Sequence, residues 1–199
     1  MKKEFFDFLR DNPLVRYAVK HLGIDHIDES GLAFHGDVTC DHYRDSNLIH
    51  TQTGSNTFTT EGMARLLNIV FRAQTTEAAI YCGIFKNNVT PAVSDTAAAK
   101  LGAAGTYGEC QDADYDSPAT NKPAYTMAST STAVATNTAS PASFTMAAGI
   151  TVYGAFLSTA TAKTATSGTL FCAKAFTSSR AVIDNDVLSV TYQISCTTS

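Results

Sequence analysis

The sequence predicts a mainly β protein: an antiparallel β-sandwich, jelly-roll or immunoglobulin-like, with one packed helix and an N-terminal helical arm. Three observations carry this. Residues 143–146, 150–157, 169–176 and 187–196 are short apolar runs cut by turn-forming residues, the spacing expected of strands in sandwiches and barrels. In the last run Leu188, Val190, Tyr192, Ile194 and Cys196 alternate with Ser189, Thr191, Gln193 and Ser195, the period of a half-buried strand. Beyond the arm, only the stretch after Thr59 carries an apolar stripe at helical spacing.

The elements follow in chain order. Residues 1–29 read as the arm and 30–199 as the sandwich domain. Phe5, Phe6, Phe8 and Leu9 give the arm an apolar face, Asn12-Pro13 restarts the helix with a cap and a proline, and Leu14, Tyr17, Ala18, His21 and Leu22 continue it to Gly23. Burying such side chains is worth about 1.5–3 kcal/mol each. The arm is therefore expected to dock, through Phe5, Phe6, Phe8, Leu9, Leu14 and Tyr17, on its own domain or on a neighbouring subunit.

From Ser30 to Thr53 the pattern turns to strands: Leu32, Phe34 and Val38 lead to a hairpin with Arg44-Asp45-Ser46-Asn47 as its turn and Leu48-Ile49-His50 beyond. Thr59 or Thr60 then caps a helix of about a dozen residues. Its stripe, Met63, Leu66, Leu67, Val70 and Phe71, is predicted to face the core. Residues 78–85 are nearly all apolar and predict a central strand. Regularity is lost over 86–122, where Asn, Gly and Pro are frequent. From Ser117 to Ile183 there is no Asp or Glu, but aromatic and β-branched residues recur, which favours strands over disorder. Asp184-Asn185-Asp186 is a tight turn that feeds the last strand.

Composition narrows the function. A net charge of −4 with only 16% charged residues lacks the basic face that wide nucleic-acid binding needs. No apolar run reaches the about 18 residues of a membrane span. Met1-Lys2-Lys3 is followed by Glu4, Asp7 and Arg10, so no signal peptide is expected and a cytoplasmic origin is. The five cysteines show no C-x-x-C pair and read as buried thiols or as disulfides formed outside the cell. Cys196, close to the carboxyl end, is the candidate for an inter-chain thiol.

Candidate chemistry is sparse. His35, Cys40, His42 and His50 invite a metal site without its spacing. Asp112, Asp114 and Asp116 alternate as calcium ligands do, but Ser117 stands where such a loop has glycine and Pro123 where it has glutamate; three carboxylates on the wet face of an edge strand is the simpler account. No nucleophile elbow, phosphate loop, dinucleotide fingerprint or zinc-protease motif occurs. The sequence therefore predicts no catalytic residues, no metal and no cofactor. Tyr107, Tyr115 and Tyr125, in or near loops, are the candidates for stacking on sugars were this a carbohydrate-binding module.

An ordered set of residues carries a family resemblance. It comprises Tyr43-Arg44-Asp45, Leu48-Ile49, Asn56, Thr59-Thr60-Glu61-Gly62, Leu66-Leu67, residues 80–85, Pro91, Asp95-Thr96-Ala97 and Glu109. It continues through Lys122-Pro123-Ala124-Tyr125, residues 142–146, 154–158, 167–170, Arg180-Ala181-Val182 and residues 186–192. Over roughly 40–195 the chain resembles a type of small virion structural protein of tailed bacteriophages. Proteins of this kind usually have glycine where Ser46 stands and arginine where Lys122 stands. The resemblance implies a capsid decoration (cement) protein located in the virion and made in the host cytoplasm. The implied partners are the major capsid protein and copies of itself as a trimer or dimer, with no nucleic acid and no membrane. A tail, neck or fibre-anchor protein is the alternative.

Overall fold

The computed structural model describes residues 32–127, 132–163 and 165–198. The chain divides into two compact units, Met1–Ala33 with Thr198–Ser199 and Phe34–Thr197. The first lies almost wholly outside the described residues, and so does the predicted arm; the second is described below.

Among the described residues, ten strands and two helices follow one another. β1 (Leu32–Arg44) and β2 (Asn47–Ser55) form a hairpin, then come β3 (Thr57–Phe58), α1 (Thr60–Phe71), β4 (Tyr81–Phe85) and α2 (Ala97–Lys100). β5 (Tyr115–Ser117), β6 (Val134–Thr136), β7 (Ala142–Met146), β8 (Ile150–Ser158), β9 (Leu170–Val182) and β10 (Val187–Thr198) complete the chain. One sheet runs β2-β1-β10-β7-β5, with β6 also on β10, and the other β3-β9-β8-β4. Val187–Val190 pair with β7 and Gln193–Ser195 with β6, so β10, which also neighbours β1, meets these two partners in succession. The registered pairs in both sheets are antiparallel. The predicted mainly β sandwich is what the chain forms.

Local chemistry accounts for the joints. The hairpin turns through Asp45 (φ 49°) and Ser46 (φ 64°), both left-handed as a two-residue turn demands. Asn185 (φ 64°) does the same between β9 and β10. Chain continuing from β2 passes into the other sheet at β3, and the Asn56 amide donates to the Gly36 carbonyl at 2.8 Å at that corner. Thr59 caps α1: its hydroxyl accepts from the Gly62 amide at 3.0 Å and donates to the Leu170 carbonyl.

The main core lies between the sheets, with Val38, Cys40, Cys82, Ile84, Phe144, Val152, Leu157, Cys172, Val190 and Tyr192 among its members. Alternation on β10 holds from Leu188 through Val190 to Tyr192, all fully buried, and is lost beyond, where Ile194, Ser195 and Cys196 are all half-buried. A second apolar cluster, Phe85, Ala97, Leu101, Tyr107, Phe156, Leu170 and Ala173, covers the other face of the four-stranded sheet. Cross-strand partners interlock there. Phe156 sits over Gly83, where a β-carbon would lie 2.2 Å from its ring, and Phe85 sits over Gly154 at the same distance.

Three expectations need correcting. β4 is not central: it ends the order of its sheet, and its all-apolar sequence comes from burial on both faces by the two clusters. Its outer edge is closed by bridges from Ala124 to Tyr81 and from Glu109 to Phe85. Within the stretch predicted irregular there is a second helix, α2, capped by Thr96. The apolar stripe of α1, finally, is buried only in part. Gly62 packs on the Phe171 backbone and Leu66 reaches the core, whereas Leu67, Val70 and Phe71 are 53%, 69% and 77% exposed. The glycine brings only the first turns of the helix against β9, and its last turns run out over the surface.

Candidate functional site

Two regions lie outside the main sheet-to-sheet contact. The first is an opening into the core beside α1, a cavity of about 420 Å³. Tyr125, Leu157 and Phe171 form its buried floor, and Phe34, Phe58, Leu66, Ile80 and Ile194 its partly exposed walls. Among its lining residues Glu77 carries the only charge, and that carboxylate is paired with Arg65. The Arg65 guanidinium also donates to the Gln74 side chain at 2.9 Å and the Thr75 carbonyl at 2.7 Å, pinning the segment after α1. Leu67, Val70 and Phe71 recur at helical spacing next to Leu66, so they form a ridge along the groove.

The second region is the polar lacing of the loops. Lys122 and Glu109, both buried, meet at 2.9 Å. The same ammonium donates to the Ala162 carbonyl at 2.7 Å, and the second Glu109 oxygen accepts from the Gly102 amide at 2.8 Å. Burial pushes the Glu109 carboxyl up against the pull of Lys122. Lys163, also buried, donates to the Tyr115 and Ala119 carbonyls, lies 3.8 Å from the Tyr115 ring centre and pairs with Asp112. Glu61 accepts from the Ala97 and Leu170 amides, tying α1 to α2 and β9. Tyr107 stacks on Phe85 at 4.7 Å and donates its hydroxyl to Asp95 at 2.8 Å.

A separate polar knot closes the β1–β9–β10 corner. Arg44 donates through two nitrogens to Asp186 at 2.9 and 2.7 Å, and the Ile183 amide adds a third bond at 2.9 Å. The Arg44 bonds, with Ile183 and His42, hold the Asp186 carboxyl far below the usual carboxylate range despite its burial. Arg180 can only donate, so the Nδ1 of buried His42 accepts from it at 3.3 Å and its Nε2–H donates to Asp186 at 2.8 Å.

These contacts settle the fate of several predicted residues. Phe5, Phe6, Phe8, Leu9, Leu14 and Tyr17 lie outside the described residues. His42 belongs to the Asp186 knot and His35 is exposed, and the described residues contain no cluster of three or more His, Cys, Asp or Glu able to hold a metal. The three alternating aspartates do not share a wet strand face. Asp114 is buried and accepts from Lys86 at 2.9 and 2.7 Å and from the Gln111 amide, Asp112 is exposed in a loop and pairs with Lys163, and Asp116 is exposed on β5. Tyr107, Tyr115 and Tyr125 are buried, so none offers a ring to a sugar.

All five thiols are free. Burial pushes Cys40 up to about 12 and raises Cys82, Cys110 and Cys172 strongly, which leaves them unreactive. Cys196 is half-buried within β10, its amide bonded to the Ala133 carbonyl at 2.9 Å.

Lys122 and Lys163 are the residues whose roles the sequence reading missed, and a signal for them existed. Both stand in the acid-free stretch 117–183, so their charges had to find carboxylates elsewhere in the chain. No family model matches this chain, and no curated protein or solved structure is significantly similar to it.

Proposed function

We propose that this chain is a structural protein of a bacteriophage virion, a capsid decoration protein that binds the assembled shell and acts without catalysis. Its partners are the major capsid protein and further copies of itself. One observation carries the reading: most of the charged residues of the phage-protein resemblance take part in lacing this fold. Arg44 and Asp186, Glu61, Asp95, Glu109 and Lys122 all belong to that set, and each makes an ion pair or hydrogen bond between distant segments. A resemblance made of lacing residues is a resemblance of scaffold, which suits a protein whose work is to bind and persist. The same lacing engages most of the buried charge that catalysis would need to leave available.

Binding that occurs only on the assembled lattice stabilises it by RT ln(1 + [L]/Kd), about 2.7 kcal/mol at a hundredfold excess over Kd. The test is a stained gel of purified virions together with heat challenge of shells with and without the protein. Hundreds of copies per particle and a raised disruption temperature are expected. About a dozen copies or fewer would move the protein to the tail or neck, and its absence from virions would overturn the reading.

A further inference from the structure

We infer that His42 is a proton-operated latch: as the neutral imidazole it holds Arg180, and the β9 segment before it, against the opposite sheet, and as the imidazolium it lets both go. Three features of this corner point to that role.

The first is that both ring nitrogens are committed in a way only the neutral ring satisfies. His42 is fully buried, its Nε2–H donates to Asp186 at 2.8 Å, and its Nδ1 accepts from the Arg180 guanidinium at 3.3 Å. A proton taken from solvent by the Nδ1 lone pair turns that acceptor into a donor. Two donors then face each other, because a guanidinium has nothing to accept with.

The second is the charge already present. Around His42 stand Arg44 and the Cys40 thiol from its own strand, His50 as its partner across the hairpin, Arg180 from β9, and Asp186 from the turn before β10. Burial keeps the thiol protonated, so with neutral rings the corner holds two guanidinium ions and one carboxylate. That carboxylate is fully engaged, by Arg44, His42 and the Ile183 amide. An imidazolium would be a third cation, and the least firmly held of the others has to move. Arg44 makes two bonds to Asp186. Arg180 has its 3.3 Å bond to His42, no ion pair among the described residues and a buried Nε without a partner, and it is only half-buried, so water is within its reach.

The third is what Arg180 holds. β9 pairs with β8 through Ala175 and again at Arg180, while residues 176–179 stand opposite Tyr153 alone. This strap crosses to the other sheet, where the Gln52 side chain of β2 donates to the Ser178 carbonyl at 2.9 Å and accepts from its amide at 3.0 Å. Gln52 ties the middle of the strap and His42 its end. Only the second tie can be undone by pH, since imidazole is the side chain that ordinarily changes charge between about pH 5 and 8.

The experiment is nuclear magnetic resonance of the full chain at about pH 8 and about pH 5, reading ring-nitrogen shifts together with amide exchange corrected for its intrinsic rate. At the higher pH the His42 ring should carry its proton on Nε2, and at the lower pH on both nitrogens. Amides of residues 178–180 should then lose about tenfold or more in protection, the change expected when a bond from a charged donor is lost. Those of Leu188 and Val190 should keep theirs. In Arg180→Gln the response should fall away, because an amide can donate to the neutral ring and accept from the charged one. In His50→Gln it should persist.

A His42 ring that stays neutral at the lower pH, a ring that charges without loosening 178–180, or a loosening that extends equally to Leu188 and Val190 would each overturn the inference. So would a response that survives in Arg180→Gln, or one that disappears in His50→Gln and so belongs to the neighbouring ring.

Discussion

The cap over the four-stranded sheet and the groove beside α1 are both apolar surfaces left over once the two sheets have packed, yet the chain closes one and leaves the other open. The cap residues Ala97, Leu101 and Tyr107 come from a stretch with little regular structure, and polar contacts hold it in place: Asp95 to the Tyr107 hydroxyl, Glu61 to the Ala97 amide, Glu109 to the Gly102 amide and Lys122. At the groove a regular helix supplies the wall, but past Leu66 its apolar side has no opposing element among the described residues. A loop can be bent to fit an apolar face if its backbone polar groups find partners. A helix is stiff, and buries only the part of its stripe that its anchor presses down. The open surface is thus a consequence of anchoring α1 at Gly62 and Leu66.

The largest test of this contrast is Lys122→Met. Removing one partner of a buried pair leaves the other charge unpaired, so about 3–5 kcal/mol of stability should be lost at pH 7, read by denaturant unfolding. The loss should also depend on pH. Glu109 already has its carboxyl pushed up in the fold, and without Lys122 it should rise further. An acid whose folded pKa exceeds its unfolded value of about 4.3 destabilises increasingly as pH rises above that value, so the variant should lose less at pH 5 than at pH 8. A loss independent of pH would mean that Glu109 is not what the lysine neutralises.

Tyr107→Phe keeps the ring of the cap and deletes its bond to Asp95. A bond to a charged group is worth about 1.5–3 kcal/mol, and a drop of that size is expected. An unchanged midpoint would show that the cap is held by packing alone.

On the open side, the adjacent leucines of α1 should behave differently. Leu66→Ala, which removes a groove wall packed on the core, should cost about 2 kcal/mol. Leu67→Ala, at a position 53% exposed, should fall within about 0.5 kcal/mol. These values apply to the dissociated chain, measured at low protein concentration. Equal losses would put both residues in the core and close the groove.

At the hairpin a gain is expected instead of a loss. Ser46 takes a φ of 64°, where a side chain costs about 1 kcal/mol and glycine costs nothing. Ser46→Gly should therefore raise stability by up to about 1 kcal/mol with no change in assembly. A decrease would show that the serine has local bonds that outweigh its strain.

Much of this fold was legible in the residues, for reasons that are local. The period of β10, the Asp45-Ser46 and Asp184-Asn185-Asp186 turns, the Thr59 cap and the starts of β7 to β10 follow from alternation, turn chemistry and capping, each fixed within a few neighbours. What needed the third dimension was the identity of the neighbour. A nearly all-apolar run such as 78–85 reads as central, but only the second cluster over Phe85 explains an edge strand buried on both faces. Nothing between Ser117 and Ile183 hints which carboxylates will meet Lys122 and Lys163, because the partners, Glu109 and Asp112, are chosen by how the loops close. The stripe of α1 was visible from Met63 to Phe71, yet how much of it is buried was decided by where Gly62 meets Phe171. Sequence by itself determined which side chains prefer to leave water; tertiary structure decided which of them found something to leave it for, since burial is a property of two surfaces and periodicity of only one.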